Sequence, residues 1–422
     1  MSNIGEVEPR QLRSSPPPAA TGDHAQLHHH TRQGDPLQLR RIMTSGTWIP
    51  QIDGLRFIAI ISVTLFHIAG QLTSRTGHAI VVQPRYGVLL QMLRNGDRGV
   101  LLFFVISGYI LARPFLRQHR LRGKPVSLGA YYLRRVTRLE PPYILALLLY
   151  TVAFWADGAS LRVMLPHLAA SMFYMHNLIY RAVSTINFVT WSLEVEIQFY
   201  LLAPLLGMVY LLRNTVVRRG VLTGLILAGG AFSIWANGHD NLVWHWTILG
   251  NLQYFLTGFL LADIVEGHQQ QPYRSFAWDA VSVVCWPIVF LLPRDFATLA
   301  WLPLLILPLY LAAFYGPGSN RFFRAPFVAL VGGMCYSFYL THMLIISVVF
   351  KATRYLAVCN DFLLNYLLQV ITLGAGIGLL ATLYYVLIER PCMDPQWPHK
   401  LWRIALRRPH PHTPADPPAV TP

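Results

Sequence analysis

Asp53-Gly-Leu-Arg56-Phe-Ile-Ala-Ile-Ile-Ser-Val-Thr-Leu-Phe-His67-Ile-Ala-Gly70 is an apolar run of membrane-spanning length that nonetheless holds an arginine and a histidine. Eleven helical steps are close to three turns, so Arg56 and His67 share one face, roughly 16 Å apart along the axis. An ionisable group within a bilayer is costly and tends to face a protein-lined cavity and serve function. A fixed cation near one end of the helix and an imidazole deeper in it point to a reaction site inside the membrane.

Outward from that stretch, the composition sets the class. Of 422 residues 54% are hydrophobic and only 13% charged, and the mean hydropathy is +0.41. A soluble chain of this length needs more charge to cover its surface, so the fold class is an all-α polytopic membrane protein. Apolar stretches able to cross about 30 Å of hydrocarbon predict ten transmembrane helices. They fall near 52–71, 98–114, 141–156, 193–212, 219–237, 246–265, 277–293, 298–315, 333–351 and 364–388. With ten spans, 24 of the 34 basic residues lie on the side that holds both termini. The positive-inside rule then makes the orientation N-in/C-in. The same distribution explains the net charge of +15 without nucleic acid, which is not expected as a partner.

Three regions follow. Residues 1–47 read as a disordered cytoplasmic tail rich in Pro, Gln and His, including His28-His29-His30. Residues 48–392 form the membrane domain, whose first span serves as an uncleaved signal anchor, and 393–422 form a disordered basic cytoplasmic tail. The four cysteines (Cys285, Cys335, Cys359, Cys392) are isolated, so neither a disulfide framework nor a metal site is expected. Gly-rich phosphate loops, HExxH and GxSxG motifs are absent from the sequence.

Polar residues inside the spans nominate the site. Ser107-Gly108 lies near mid-depth of the second span and serves either helix packing or a substrate lining. Arg134, Arg135 and Arg138 precede Pro141-Pro142, taken as the start of the third span. Guanidinium offers planar bidentate donors suited to phosphate, although plain topology signalling also accounts for such residues. Arg113, Arg117, Arg120 and Arg122 read as topology markers only. The fourth span opens Trp191-Ser-Leu-Glu194-Val-Glu196-Ile-Gln-Phe-Tyr200. Glu194 and Glu196 point in nearly opposite directions, so Glu194 is assigned to the headgroups. Glu196 joins Ser192 and Tyr200 in a polar stripe, with a structural ion pair as the competing role. The ninth span holds Tyr339 and His342, the latter either an interhelical hydrogen bond or a site group. By depth, His67, Ser107, Glu196 and His342 are expected to share one cavity with the arginine cluster at its cytoplasmic mouth.

Together these stretches resemble the acyltransferase 3 family of integral membrane acyltransferases. The matching pieces are Asp53-Gly-Leu-Arg56 with ten residues to His67, Phe103-Phe104-Val-Ile-Ser107-Gly108-Tyr109, Arg134-Arg135-x-x-Arg138 and Trp191-Ser-Leu-x-x-Glu196-x-x-Phe-Tyr200. Further on come Phe255-Leu-x-Gly258, Tyr336-Ser337-x-Tyr339-Leu-x-His342 and Glu389-Arg390-Pro391. The chain departs from the family pattern at Leu101, where members often carry an acid, at Cys335-Tyr336 and at Gly108-Tyr109. It resembles the stand-alone kind without a periplasmic esterase-like domain.

The resemblance implies transfer of an acyl group, usually acetyl, from acyl-CoA to a hydroxyl of a glycan or glycosylated acceptor. It implies no bound cofactor, acetyl-CoA as donor substrate, and a place in the bacterial cytoplasmic membrane among its lipids. On that reading His67 is the general base, Arg134, Arg135 and Arg138 bind the CoA phosphates, and Arg56 stabilises the donor or the oxyanion. Glu196 would orient an imidazole, while Ser107, Tyr200, Tyr339 and His342 line the cavity. Direct transfer and an acyl-histidine relay both stay open. The acceptor is expected to enter from the outer side, past the 3–4 loop with Phe173, Tyr174 and Tyr180. The alternative function is a proton-coupled transporter or flippase in which His67, Glu196 and His342 relay protons.

Overall fold

The computed structural model describes residues 48–75, 83–238, 242–267, 274–353, 361–394 and 397. Among them are helices and turns but no strand, as hydrocarbon demands of segments that must satisfy their own backbone. The ten long elements are α1 (Pro50–Arg75), α3 (Arg98–Arg120), α4 (Leu128–Ala156), α7 (Trp191–Leu206), α8 (Thr215–Gly238), α9 (Ile248–Gly267), α10 (Phe276–Leu291), α11 (Phe296–Tyr315), α14 (Cys335–Thr353) and α15 (Phe362–Tyr384). Shorter helices lie between them: α2 (Gly87–Arg94), α5 (Leu161–Met172), α6 (His176–Tyr180), α12 (Pro317–Phe323) and α13 (Pro326–Gly333). Nine segments are long and apolar enough to cross a membrane, and the 16-residue α10 is a shorter apolar tenth. The protein is an all-α polytopic membrane protein. Residues 1–47, His28–His30 included, Cys359 and all of the C-terminal tail after residue 394 except Trp397 lie outside the described residues.

Two prolines force a correction. Pro141-Pro142 does not start the third span but sits inside α4, which begins at Leu128 with the Ser127 side chain as its N-cap. Proline has no N–H to give the carbonyl four residues back. The Thr137 carbonyl that Pro141 leaves free accepts instead from Trp397 Nε1 at 3.0 Å. Beside it, Tyr336 Oη donates to the Leu139 carbonyl at 2.9 Å, and Tyr384 Oη donates to that of Pro142. Near the expected tail boundary at 393, Met393 is buried and Trp397 donates to α4.

α10 stops short because other elements cap it. Arg98, 2% exposed, donates to the carbonyls of Val289, Leu292 (3.1 Å) and Pro293 (2.6 Å). Asn95 Nδ2 adds Phe290 and Leu292 at 2.8 and 3.0 Å. The terminal carbonyls of a helix need such donors once water is excluded. At the end expected to face the cytoplasm, Arg113 and Arg117 pair with buried Glu266 (2.9 and 3.4 Å), and Arg218 and Arg219 with buried Asp263 (2.6 and 2.8 Å). Arg113 and Arg117 are therefore structural partners as well as topology markers.

Between α4 and α7, α5 and α6 form an outer hairpin held by histidines. His176 Nδ1 faces the Ala182 carbonyl at 3.1 Å, so it donates, and His176 Nε2 accepts from His167 Nδ1 at 2.9 Å. Tyr180 lies on both rings, at 4.3 and 4.6 Å between centroids. Burial lowers the His176 pKa from its ordinary value. The unfolded segment takes up a proton near pH 6.5 that the folded one resists, so the hairpin is fully stable above that pH and loosens as pH falls below it. Limited proteolysis within 161–180 should be faster at pH 5 than at pH 7.5 in wild type, with the difference lost in His176→Gln.

Candidate active site

Two cavities lie end to end in the bundle and share Val63, Val100 and Tyr339 as common wall. Along α1, Arg56, Ile60 and Val63 line the inner cavity, and Val63, Phe66 and His67 line the outer one. Arg56 and His67 thus occupy one stripe of the helix, as their spacing requires. The single common cavity expected from depth is two: Ser107 and Glu196 line the inner, His67 the outer, and His342 neither. Depth along each helix places a residue axially, but the direction it faces depends on how each helix is rotated in the bundle.

The inner cavity gathers charge from four elements. Arg56 donates to Asp53 Oδ1 at 2.6 Å, and Trp48 Nε1 holds Asp53 Oδ2 at 2.8 Å. Arg135 and Arg138 of α4 line the cavity, with the Arg135 guanidinium 5.4 Å from the Tyr200 ring and 5.8 Å from that of Tyr131. Arg138 Nε is buried without a hydrogen-bond partner. Arg134, one helical step away, is exposed and does not line the cavity. Opposite the arginines, Glu196 Oε1 accepts from both Ser107 Oγ and Tyr200 Oη at 2.6 Å. Those two hydroxyls tie Glu196 within the inner cavity rather than against His67, and among the described residues it forms no ion pair within 4 Å. Glu389, in the π turn that continues α15, completes the wall and accepts from Ser337 N (3.1 Å) and Oγ (2.6 Å).

In the outer cavity His67 stands among rings. Its centroid lies 4.8 Å from Phe66, 5.2 Å from Phe188 and 5.3 Å from His342. The opposite wall sets Trp191 edge-on to Trp246 at 5.0 Å and stacked near His245 at 6.0 Å, with Asn251 and Gln253 adding amides. At the rim Arg294 pairs with Asp97 at 2.5 Å. Tyr339 Oη, at the junction, donates to the Val189 carbonyl (2.8 Å) and lies 3.1 Å from Ser192 Oγ. This cavity is the larger, about 330 Å³ against about 140 Å³.

Glu194 is also corrected. It is wholly buried, away from any headgroup, and its Oε2 accepts the Asn177 backbone N–H at 2.8 Å, pinning α6 to α7. Ser107-Gly108 divides its work: Ser107 holds Glu196, whereas Gly108 is pressed against the Phe255 backbone of α9. Residues that site reading missed are Glu389, Trp246, Gln253 and the Asp97–Arg294 pair. Only Glu389 left a signal, in Glu389-Arg390-Pro391; Trp246 and the pair come from short turns and connections, and Gln253 from α9, none of whose pairing a local pattern announces.

No solved structure matches the chain. It is 25% identical over 337 residues to a Staphylococcus aureus (strain COL) protein named "Putative O-acetyltransferase", covering 72% of this chain and 51% of that one. It is 29% identical over 180 residues to the peptidoglycan O-acetyltransferase OatA of Listeria monocytogenes (40% of this chain, 25% of the relative). With the O-acetyltransferase OatA of Staphylococcus aureus it shares 28% over 237 residues (53% and 36%). The chain spans about half the length of the first of these relatives and less of the others. A family model described as an acyltransferase domain matches residues 49–386, the stretch that builds nearly all of both cavities, and the chain belongs to that family, acyltransferase 3.

Proposed function

We propose that this protein is a membrane O-acyltransferase that moves an acetyl group from acetyl-CoA, held at the inner cavity, to a carbohydrate hydroxyl in the outer cavity. The observation that carries the reading is the junction at Val63, Val100 and Tyr339, with the Arg135 and Arg138 guanidinium groups on one side and His67 on the other. Arg135 and Arg138 bind phosphate of the donor, while the bulk of the nucleotide stays outside so small a cavity and the pantetheine arm carries the thioester to the junction. The names of the relatives support an acetyl donor and a glycan acceptor. So do the Trp191–Trp246 wall and the amides of the outer cavity, which suit the apolar faces and hydroxyls of a sugar. The positive-inside distribution supports a cytoplasmic side for the inner cavity, in keeping with a bacterial cytoplasmic membrane.

In the transfer His67 takes the proton of the acceptor hydroxyl as its oxygen attacks the thioester carbonyl. The C–S bond breaks, and the imidazolium returns the proton to the CoA thiolate, so ester and free CoA-SH leave a neutral His67. Arg56, fixed by Asp53 at the end of the inner cavity away from His67, adds a further positive charge to the donor's side of the site. Glu196 serves as the acceptor that holds Ser107 and Tyr200 in place.

The test is ester formation by the purified protein with radiolabelled acetyl-CoA and glycan fragments; an acceptor that never gains label overturns the reading in favour of transport. Within it, the double variant Arg135→Ala/Arg138→Ala is expected to raise the donor KM at least about tenfold, as two charge-assisted contacts are lost. At saturating donor, kcat should stay within a few fold. A donor KM equal to wild type would return both arginines to a topological role.

A further inference from the structure

We infer that His342 is the positioning residue for His67, setting its tautomer and receiving its N–H as the imidazolium forms. The inference rests on His67 being the base.

His342 is fully buried in α14, and its Nδ1 lies 2.9 Å from both the Phe338 and the Tyr339 carbonyls. Carbonyls only accept, so Nδ1 carries the proton and Nε2 of the neutral ring is an obligate acceptor. That Nε2 is buried without a partner. Leaving it so is costly, since a polar atom out of water loses its hydration with nothing in exchange. The ring beside it is His67, 5.3 Å away between centroids at an interplanar angle of 38°. His67 itself makes no hydrogen bond among the described residues, and its other ring neighbours, Phe66 and Phe188, offer no acceptor nitrogen or oxygen. Glu196 is engaged by Ser107 and Tyr200 in the other cavity, and Tyr339 Oη by Val189 and Ser192.

A small turn of the His67 ring, or one bridging water, joins its N–H to His342 Nε2. The bare nitrogen of His67 then faces the cavity, which is the form a general base needs. When His67 takes the hydroxyl proton, the shared N–H becomes an imidazolium donor to a neutral acceptor. A carboxylate at that depth would carry its own burial penalty; a histidine locked by backbone carbonyls does not.

Two near-isosteric variants separate orientation from packing. The side-chain amide of Gln places an acceptor where His Nε2 stood, whereas that of Asn reproduces the Nδ1 donor and leaves the Nε2 position empty. Steady-state kinetics of ester formation should give His342→Asn a kcat at least tenfold below wild type with both KM values unchanged. His342→Gln should stay within a few fold. Gel filtration and thermal melting of each variant in detergent establish the folded fraction to which rates are normalised. The reverse order, with Asn more active than Gln, or equal activity in both, overturns the inference and leaves His342 a packing residue. His67→Ala run alongside keeps the two ideas apart: if it retains activity, the base assignment itself fails, whatever His342 does.

Discussion

Replacing His67 with alanine should lower kcat for ester formation by about 10²- to 10⁴-fold, the usual worth of a positioned proton acceptor. The donor KM should not change, because the arginines that line the inner cavity, proposed to hold the donor, lie on the far side of the Val63–Val100–Tyr339 junction. The substitution empties space beside Phe66, Phe188 and His342 but breaks no hydrogen bond among the described residues, so folding should survive it. His67→Gln, which fills the same space without a titratable nitrogen, should be as inactive as the alanine variant. Stopped assays with labelled acetyl-CoA and a saturating glycan acceptor measure both constants. A kcat within threefold of wild type in either variant removes His67 from the chemistry.

Gly258→Leu should prevent assembly of the site altogether. A Cβ at Gly258 would lie 2.2 Å from the Val105 carbonyl oxygen, 2.4 Å from Tyr109 N and 2.7 Å from Gly108 C. All three are backbone atoms of α3, so no side chain can swing aside. The Gly108 position meets the α9 backbone in the same way, 2.1 Å from the Phe255 carbonyl oxygen. Two helices cross here in backbone contact, as small residues allow within membranes. Overpacking an ordinary core costs about 1–3 kcal/mol, and a contact between two backbones should exceed that range. Because α3 carries both Ser107 and Arg98, prying it from α9 would disturb the Glu196 clasp and the cap of α10 together. Little monodisperse protein should be recovered, with a melting temperature well below wild type. Gly224→Ala in α8, where a Cβ would meet nothing within 4 Å, is the control and should melt like wild type. Equal melting of Gly258→Leu and wild type would mean that α3 and α9 do not touch as described.

Much of this is legible in the sequence. All ten apolar stretches became helices, and Arg56 and His67 do share a stripe of α1. Arg135 and Arg138 line a cavity with Ser107, Glu196 and Tyr200. What escaped was relational. Arg134 differs from Arg135 by one step of 100°, enough to turn it out of the bundle. Pro141-Pro142 looked like a helix start because the donor Pro141 lacks is supplied to the Thr137 carbonyl by Trp397, a residue roughly 260 positions away. Glu194 looked like a headgroup residue because its partner, the Asn177 N–H, belongs to the five-residue helix α6, too short to show a pattern in sequence.

The sequence by itself determined that this chain is a bundle of membrane helices with polar groups on chosen faces. It could do so because hydrocarbon forces each segment to satisfy its own backbone and makes every buried charge conspicuous. Only the tertiary structure decided that those groups divide between two cavities, with His67 backed by His342 and Glu196 clasped elsewhere. That division depends on helix rotation and crossing, which contacts such as Gly108 against Gly258 set between residues far apart in the chain.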